Sequence, residues 1–339
     1  MKILVIGGSR FIGPRVVKKL NQQNHEIAVF NRGKTPVDFP DNILPIYGDR
    51  NNLQNHAKTL VKFNPEVVID MIPLNKQQAE LVRDVFSGVV EKIVTISSMD
   101  VYKAYGVLTG REQDYIQKGI LDEQSPLRST LYPYRNRNTD EKDIYYNYEK
   151  ILTENVYQQC SDFFTTVLRL PMVYGPGDGQ HRLYEFIKRM DDNRPAIILD
   201  APYSAWKCTR GYVEDIGFAI SLAAEEKTSA NQVYNVGENE FLSTRQWIEK
   251  ISEITGWEGE IIIKPSSCLP PQLVVNMNSQ QHLAVSSSRI RNRLGYKETV
   301  SSEQALSDTI EWERKNPPPG LDQNNFNYDV EDQWIAQQG

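Results

Sequence analysis

The first hundred residues alternate short, almost wholly apolar runs with longer amphipathic stretches, and this alternation constrains the fold strongly. The apolar runs are predicted strands at residues 3–6, 26–30, 43–47, 67–70 and 92–97, and helical patterns occur at 16–21, 53–63 and 77–86. Strands that are apolar on both faces and separated by helices form a parallel sheet covered on both sides. Because such crossovers are right-handed, we predict an α/β fold with a doubly wound, Rossmann-type parallel sheet.

Composition excludes several other classes of protein. Of 339 residues, 40% are hydrophobic, which is enough for a sizeable core and rules out a wholly disordered chain. The net charge of −6 gives no general attraction for nucleic acids or anionic lipids. Three cysteines and four histidines show no metal-ligand spacing, and no apolar run matches a membrane span or a signal-peptide core. We therefore expect no metal, no membrane partner and a cytoplasmic location.

A polar stretch at 103–145 interrupts this rhythm. Loops of that length inside a compact fold are usually functional or disordered. Regular patterning resumes with a predicted helix at 145–159 and a predicted strand at 164–170. Short strands and helices follow up to residue 316, and three prolines then end the last predicted helix, leaving 317–339 as a C-terminal tail.

The glycine-rich turn after the first strand is the strongest local motif, with the sequence Gly7-Gly8-Ser9-Arg10-Phe11-Ile12-Gly13. Glycine lets the backbone turn sharply and approach a pyrophosphate, whose charge is stabilised by the N-terminus of the following helix. The alternative is an ordinary glycine-rich turn. On the first interpretation, the residues that bind the dinucleotide are Gly7, Ser9, Arg10, Phe11, Ile12 and Gly13.

The end of the second strand indicates which dinucleotide is bound. NAD(H)-preferring sites place an acidic residue here for the ribose hydroxyls, whereas this chain has Asn31 and Arg32. An amide does not repel a phosphate, and arginine pairs with one through two hydrogen bonds, with Arg10 able to approach from the other side. We predict that NADP(H) is favoured over NAD(H), unless both arginines are solvated surface charges. Asp49 either accepts from the adenine amino group or is a turn aspartate.

Three residues form the predicted catalytic set. Tyr146 and Lys150 are four positions apart and would share one face of the predicted helix. A cation about 4 Å from a phenol supplies ~4 kcal/mol at an effective dielectric of ~20, enough to lower its pKa by ~3 units. Ser98 follows the fifth strand at the carboxyl edge, where ligands bind, and can donate to a substrate oxygen. The alternative for Ser98 is a hydroxyl that satisfies a strand end.

Together these motifs resemble the extended short-chain dehydrogenases/reductases, the NAD-dependent epimerase/dehydratase family. The matching segments are the glycine turn, 97–102, Tyr146 with Lys150, 169–178, 213–215, 233–237 and 290–296. The sequence departs from the family pattern at Arg10, which replaces the middle glycine, and at Asn31 and Arg32. The Arg10 turn, 31–33 and 206–215 are similar to a branch that includes chloroplast stem-loop RNA-binding proteins and unassigned bacterial members.

The resemblance implies a dinucleotide-binding domain formed by 1–173 and about 207–236, with the insert 103–145, and a smaller α/β substrate domain formed by 174–206 and 237–316. It also implies that Lys150 holds the nicotinamide ribose, that Pro171 and Val173 lie against the nicotinamide, and that the protein is a homodimer. Asp100 matches one acid of the pair found in sugar-nucleotide dehydratases; the other is replaced by Met99, which weakens a dehydratase assignment. The substrate implied is a sugar nucleotide or a similar carbonyl or hydroxyl compound.

Other side chains have open interpretations. Arg210 and Lys207 either hold a substrate phosphate or are surface charges, and His181 either faces the cleft or is structural. Tyrosines of the insert either form a lid over the substrate or pack the insert onto the body. They are Tyr105, Tyr115, Tyr132 and Tyr134.

Two functions follow from these motifs. The favoured one is an NAD(P)-dependent oxidoreductase or epimerase in which Tyr146 acts as general acid/base during hydride transfer. The alternative is an RNA-binding or regulatory protein on a retained dinucleotide-binding fold. The branch resemblance and the basic residues Arg128, Arg135 and Arg137 support it, whereas the net charge and the complete catalytic set oppose it.

Overall fold

A computed structural model describes residues 1–113, 115–136, 139–320 and 326–337. Its strands are β1 (Lys2–Ile6), β2 (Glu26–Asn31), β3 (Leu44–Tyr47), β4 (Val67–Asp70), β5 (Lys92–Ser98), β6 (Phe164–Leu170), β7 (Met172–Tyr174), β8 (Ala196–Asp200), β9 (Arg210–Tyr212), β10 (Gln232–Asn235) and β11 (Glu260–Lys264).

The α-helices in these ranges are α1 (Ile12–Gln22), α2 (Ala57–Lys62), α3 (Lys76–Phe86), α4 (Lys103–Leu108), α5 (Lys150–Gln158), α6 (Tyr184–Asp191), α7 (Ala201–Ala205), α8 (Val213–Glu225), α9 (Thr244–Thr255), α10 (Ser288–Leu294), α11 (Ser302–Lys315) and α12 (Asp329–Ala336).

A seven-stranded parallel sheet forms the main body, in the order β10-β6-β5-β4-β1-β2-β3. The sheet has a hydrophobic core on each face. Successive side chains of β1 pack into one core and then the other, because side chains alternate across a strand. Ile3 and Val5 join the core beneath α1 and α8, whereas Leu4 and Ile6 join the core beneath α3 and α5. The predicted doubly wound α/β fold is therefore confirmed.

A smaller lobe contains a separate two-stranded parallel sheet, β8 with β11, flanked by α6, α7 and α9. Before this lobe is complete, the chain returns to the main sheet through β9, α8 and β10. The predicted smaller α/β lobe is thus present, and the exact domain boundaries stay a prediction.

The predicted helix at 145–159 is wrong at its start, because α5 begins at Lys150. The cap residue is Glu149, whose carboxylate accepts a hydrogen bond from the Ile151 amide at 2.9 Å. The same carboxylate pairs with Arg128 at 3.1 Å, and both side chains are fully buried. This long-range ion pair holds the chain extended before Lys150, where the local pattern favoured a helix.

Candidate active site

The glycine-rich turn lies at the carboxyl end of β1 and leads directly into α1. Gly7 and Gly8 have φ of 103° and 88°, a backbone region that favours glycine. A Cβ on Gly13 would lie 2.2 Å from the Cα of Gly8, so only glycine allows this close approach of helix and turn. Ser9, Arg10, Phe11 and Ile12 complete the turn and begin the helix. The helix N-terminus and the glycine cradle fit a pyrophosphate.

Arg10 lies beside the loop that follows β2. Its Nε donates to the Thr35 hydroxyl at 3.0 Å. The Asn31 side chain accepts from the Gly33 amide at 2.7 Å, which closes a tight turn, and Arg32 is exposed. Arg10, Asn31 and Arg32 thus lie just after the carboxyl ends of β1 and β2, and their contact with a dinucleotide stays a prediction.

Asp49 has the contacts of a turn aspartate. Its carboxylate accepts from the Asn51 amide at 2.9 Å and caps a short helical turn. This contact favours the second of its two interpretations, and adenine binding by Asp49 stays a prediction.

Lys150 is buried between the ends of two strands. Its Nζ donates to the carbonyl oxygens of Pro73 and Ile96, each at 2.8 Å. Burial lowers its pKa to about 8, with partial compensation from Asp70 and Asp100. An ammonium has three donors, and two of them have partners among the described residues.

Tyr146 does not share a helical face with Lys150, and that expectation is wrong. It lies in a turn before α5, and its hydroxyl is 3.4 Å from Glu141. Its ring stacks on the Arg135 guanidinium at 4.2 Å, with Tyr132 on the same guanidinium at 4.0 Å. The helical geometry that would place an ammonium one turn from this phenol is therefore absent, and its catalytic role stays a prediction.

A different tyrosine lies at Asp100. The buried Tyr148 hydroxyl donates to Asp100 Oδ2 at 2.8 Å, and the Ser98 hydroxyl accepts from the Asp100 amide at 3.2 Å. The Tyr148 ring centre lies 5.6 Å from Lys150 Nζ. Burial, reinforced by Asp100, raises the pKa of Tyr148 well above its ordinary value. No signal in the sequence distinguished Tyr148 from the chain's other tyrosines.

Asp100 is the carboxylate at the centre of this site. It is 3% exposed, and its Oδ2 also accepts from Tyr134 at 3.0 Å. Its Oδ1 is buried and has no hydrogen-bond partner among the described residues. Burial raises the pKa of Asp100, although the bond from Tyr148 and the charge of Arg128 act in the opposite direction.

Aromatic packing surrounds Asp100. The ring of Tyr134 lies 5.0 Å from that of Tyr148, 5.6 Å from that of Tyr145 and 6.2 Å from that of Tyr105. We call Tyr105, Tyr134, Tyr145 and Tyr148 the tyrosine cluster. Tyr105 and Tyr134 thus pack the insert onto the body, in agreement with one of their two interpretations, whereas Tyr115 is exposed.

Two of the three arginines of the proposed basic cluster, Arg128 and Arg135, are not free surface charges. Arg128 is buried against Glu149, and Arg135 is stacked between two tyrosine rings. Arg137 lies outside the described residues. The expectation that these arginines form a surface for RNA is therefore not met by Arg128 or Arg135.

Arg210 lies just beyond the carboxyl edge of the sheet. Ser98 is in register with Leu170 of β6, and Met172, two residues further on, is in register with Arg210 of β9. Arg210 is 5% exposed, and its guanidinium lies 4.6 Å from the Trp247 ring centre. Its Nε and Nη1 have no hydrogen-bond partner among the described residues. Buried charges of this kind are normally paired, so these donors point to an anionic ligand.

The other predicted residues have varied environments. Val173 is in register with Gly211, and its carbonyl accepts from Arg182, while Pro171 is buried. Lys207 is exposed.

His181 is held in a structural contact. Its ring bonds Glu313 at 2.6 Å and stacks on Trp312 with centroids 5.4 Å apart. This arrangement favours the structural interpretation of His181, and a substrate contact stays a prediction.

The described ranges show no group of three or more His, Cys, Asp or Glu side chains arranged to hold a metal ion. Nor does any helix within them have the length and apolarity to cross a membrane.

Comparison with known proteins assigns the class of protein that this fold and site define. The model of the NAD dependent epimerase/dehydratase family matches residues 3–114 and 122–237, more than half of the chain. The chain belongs to this family.

Individual relatives are distant. The chloroplast stem-loop binding protein of 41 kDa b of Arabidopsis thaliana is 23% identical, over 91% of this chain and 78% of that protein. The structure of UDP-glucose 4-epimerase from Thermotoga maritima, with UDP-glucose, has a TM-score of 0.67 at 22% identity and covers 93% of this chain and 99% of its own. The structure of Thermus thermophilus UDP-glucose 4-epimerase, in complex with NAD, has a TM-score of 0.64 at 20% identity. The match covers 93% of this chain and 100% of that chain.

Proposed function

We propose that the protein is an NAD(P)-dependent oxidoreductase or epimerase that acts on a sugar nucleotide. The observation that carries the substrate class is Arg210, a buried cation with two unpartnered donors just beyond the strand end that bears Ser98. A diphosphate satisfies such donors, since arginine binds phosphate oxygens through parallel hydrogen bonds. Solved structures with the same fold include a UDP-glucose 4-epimerase with UDP-glucose, which agrees with this substrate class.

The residues of the glycine turn fit a dinucleotide. A Cβ at Gly13 would collide with Gly8 and force the turn away from α1, whose N-terminus favours negative charge. We propose that NADP(H) is favoured over NAD(H), because Arg10 and Arg32 offer two cations and Asn31 offers no negative charge. Equilibrium titration with both coenzymes tests this, and tighter NAD+ than NADP+ binding would contradict it.

The site residues have complementary roles in this proposal. The bound coenzyme accepts or returns a hydride. Ser98 donates a hydrogen bond to the reacting oxygen, while Tyr146, the predicted general acid/base, exchanges the proton. The third donor of the Lys150 ammonium, for which the described residues offer no partner, would bind a ribose hydroxyl. Pro171 and Val173, at the start of the segment that pairs with β9, form the wall beside the nicotinamide.

A panel assay tests the proposal. Purified protein is incubated with NAD+ or NADP+ and with UDP-glucose, UDP-galactose or dTDP-glucose. Coenzyme absorbance at 340 nm reports net oxidation, and chromatography of the sugar nucleotides reports epimerisation. We expect turnover of at least one pair. A protein that binds neither coenzyme nor any of these sugar nucleotides would contradict the proposal.

Arg210→Met tests the phosphate contact. A hydrogen bond to a charged group contributes about 1.5–3 kcal/mol, so KM for the sugar nucleotide should rise about 10-fold to 150-fold. Coenzyme affinity should not change. Arg245→Met is the matched control, because Arg245 is an exposed arginine that pairs with Glu249 on α9. An Arg210→Met protein that is folded and retains the wild-type KM would refute the phosphate role.

RNA binding is a second candidate function, favoured by the similarity to the chloroplast stem-loop binding protein. Gel-shift assays with a stem-loop RNA at physiological salt test it. A salt-dependent shift would support this alternative, because counterion release accompanies phosphate contacts. The burial of Arg128 and the stacking of Arg135 lead us to expect none.

The homodimer implied by the family resemblance stays a proposal, and analytical ultracentrifugation tests it. The cytoplasmic location likewise stays a prediction.

A further inference from the structure

Helix α12, in the predicted tail, packs on the smaller lobe and contacts two distant parts of it. Trp334 is 6% exposed, and its indole Nε1 donates to the carbonyl oxygen of Cys268, in the loop after β11, at 3.0 Å. Glu331 is 5% exposed, and its carboxylate accepts from the Nη2 and Nε of Arg189 on α6 at 2.8 and 3.1 Å. The helix therefore joins α6 to the loop after β11.

The same segment also holds the turn between α6 and β8. The Tyr328 hydroxyl donates to Asp192 Oδ2 at 2.7 Å, and the Arg194 guanidinium lies 4.2 Å from the centre of the Tyr328 ring. Arg194 also forms an ion pair with Asp332 of α12. We call residues 326–336, which make these contacts, the strap.

Helix α6 in turn supports the surroundings of Arg210. The Thr255 hydroxyl of α9 contacts the Met190 sulfur of α6 at 3.3 Å. Helix α9 also carries Trp247, whose ring centre is 4.6 Å from the Arg210 guanidinium. Glu185 of α6 interacts electrostatically with Arg210 as well. The contacts thus lead from the strap through α6 and α9 to the guanidinium proposed to bind phosphate.

We propose that the strap fixes α6 against α9 and thereby holds Trp247 and Arg210 in the geometry that binds the substrate's phosphate groups. This inference rests on the proposed function and gives α12 a part in substrate affinity. Glu331 and Trp334 are positioning residues in this proposal, because they act through α6 and the loop after β11.

The architecture of the smaller lobe explains why a strap matters there. Its sheet consists of two strands, β8 and β11, and α6 is eight residues long. Two strands alone are marginally stable unless other elements pack against them. Segments of this kind open locally while the rest of a protein stays folded. The buried Trp334 ring and the buried Glu331 carboxylate stabilise the lobe against such opening.

Amide hydrogen exchange of the protein without ligands tests the mechanical part of the proposal. Breaking a buried ion pair changes a local equilibrium by roughly 100-fold or more. Because Arg189 is 19% exposed, we expect a smaller effect. In the double variant Glu331→Ala/Trp334→Ala, amides of α6 and α9 should exchange at least 10-fold faster, and those of β1 and β5 should be unchanged. Gln333→Ala is the matched control, because Gln333 is an exposed residue of the same helix.

Steady-state kinetics test the link to the substrate, with whichever sugar nucleotide of the panel turns over. KM for the sugar nucleotide should rise at least fivefold in the double variant, whereas kcat and coenzyme affinity should stay within about twofold of wild type. Glu331→Gln/Trp334→Phe keeps an acceptor for Arg189 and a buried ring, so it should restore most of the wild-type KM.

Two results would overturn the proposal. One is unchanged exchange of α6 and α9 in the double variant, and the other is faster exchange together with an unchanged KM. If the double variant does not fold, as shown by loss of protection in β1 and β5, Glu331→Ala alone is tested by the same criteria.

Failure of the proposed function gives a different result. A wild-type protein that binds neither coenzyme nor any sugar nucleotide of the panel would overturn that function. Hydrogen exchange then decides the strap by itself. Faster exchange in α6 and α9 of the double variant supports it, and unchanged exchange overturns it.

Discussion

Gly13→Ala should separate the glycine turn from the helix that follows it. The added Cβ would lie 2.2 Å from the Cα of Gly8 and 2.4 Å from its carbonyl carbon, where an ordinary contact begins at 3.4 Å. The colliding atoms are backbone, so no side-chain rotation relieves them. The start of α1 and the turn must therefore move apart by about 1.2 Å.

This displacement should affect stability and binding together. Overpacking of a close contact costs about 1–3 kcal/mol, and because backbone must move here we expect a loss of about 3 kcal/mol in the free energy of unfolding. The amides of α1 also move away from the pyrophosphate, so coenzyme affinity should fall at least 10-fold, or about 1.4 kcal/mol.

Urea unfolding and coenzyme titration measure the two effects. Gly179→Ala is the control, because a Cβ there would meet no atom within 4 Å. A Gly13→Ala protein within 0.5 kcal/mol of wild type, with unchanged coenzyme affinity, would refute the role given to this close approach, since substitutions without a specific defect usually fall within about that range.

Two further substitutions test the energetics of buried charges. Burial raises the pKa of Glu238 from 4.5 to about 7, so between those values the unfolded chain loses a proton that the folded chain keeps, and stability falls with rising pH. Glu238→Gln should remove this loss of stability between low and high pH, which amounts to up to about 3 kcal/mol. Urea unfolding at pH 5 and pH 8 measures the difference, and an unchanged pH dependence in the variant would contradict the prediction. Asp70→Asn leaves Arg50 buried without its carboxylate partner, at present 2.8 Å away, and should destabilise by about 3–5 kcal/mol; a loss below 1 kcal/mol would count against this.

Local sequence patterns were sufficient for the sheet and the glycine turn. The apolar runs of β1 and β5 are buried on both faces, which is the pattern of a strand inside a parallel sheet, and the glycines occupy positive φ at the first strand–helix junction. These features depend on neighbours in the chain, so they are visible in one sequence.

The structure of the segment around Tyr146 and Lys150, predicted to be catalytic, could not be predicted in the same way. Tyr146 and Lys150 have helical spacing, but Glu149 pairs with Arg128, 21 residues earlier, and the helix starts late. Tyr148 meets Asp100 across 48 residues. Such contacts form between distant parts of the chain, and no local pattern encodes them.

The same reason explains the other differences. His181 bonds Glu313, which is 132 residues away in the chain. Arg128 is buried, although the sequence analysis placed it among basic residues that could contact RNA. Arg210 could be named as a phosphate ligand from its charge and position, yet its unpartnered donors are visible only in three dimensions.

Coenzyme titration of the purified protein, followed by tryptophan fluorescence, tests whether the glycine turn binds a dinucleotide. We predict saturable binding of one NADP(H) per chain, weakened at least 10-fold by Gly13→Ala and unaffected by Gly179→Ala. Absence of binding by both NADP(H) and NAD(H), in a protein whose circular dichroism is that of a folded α/β chain, would contradict it.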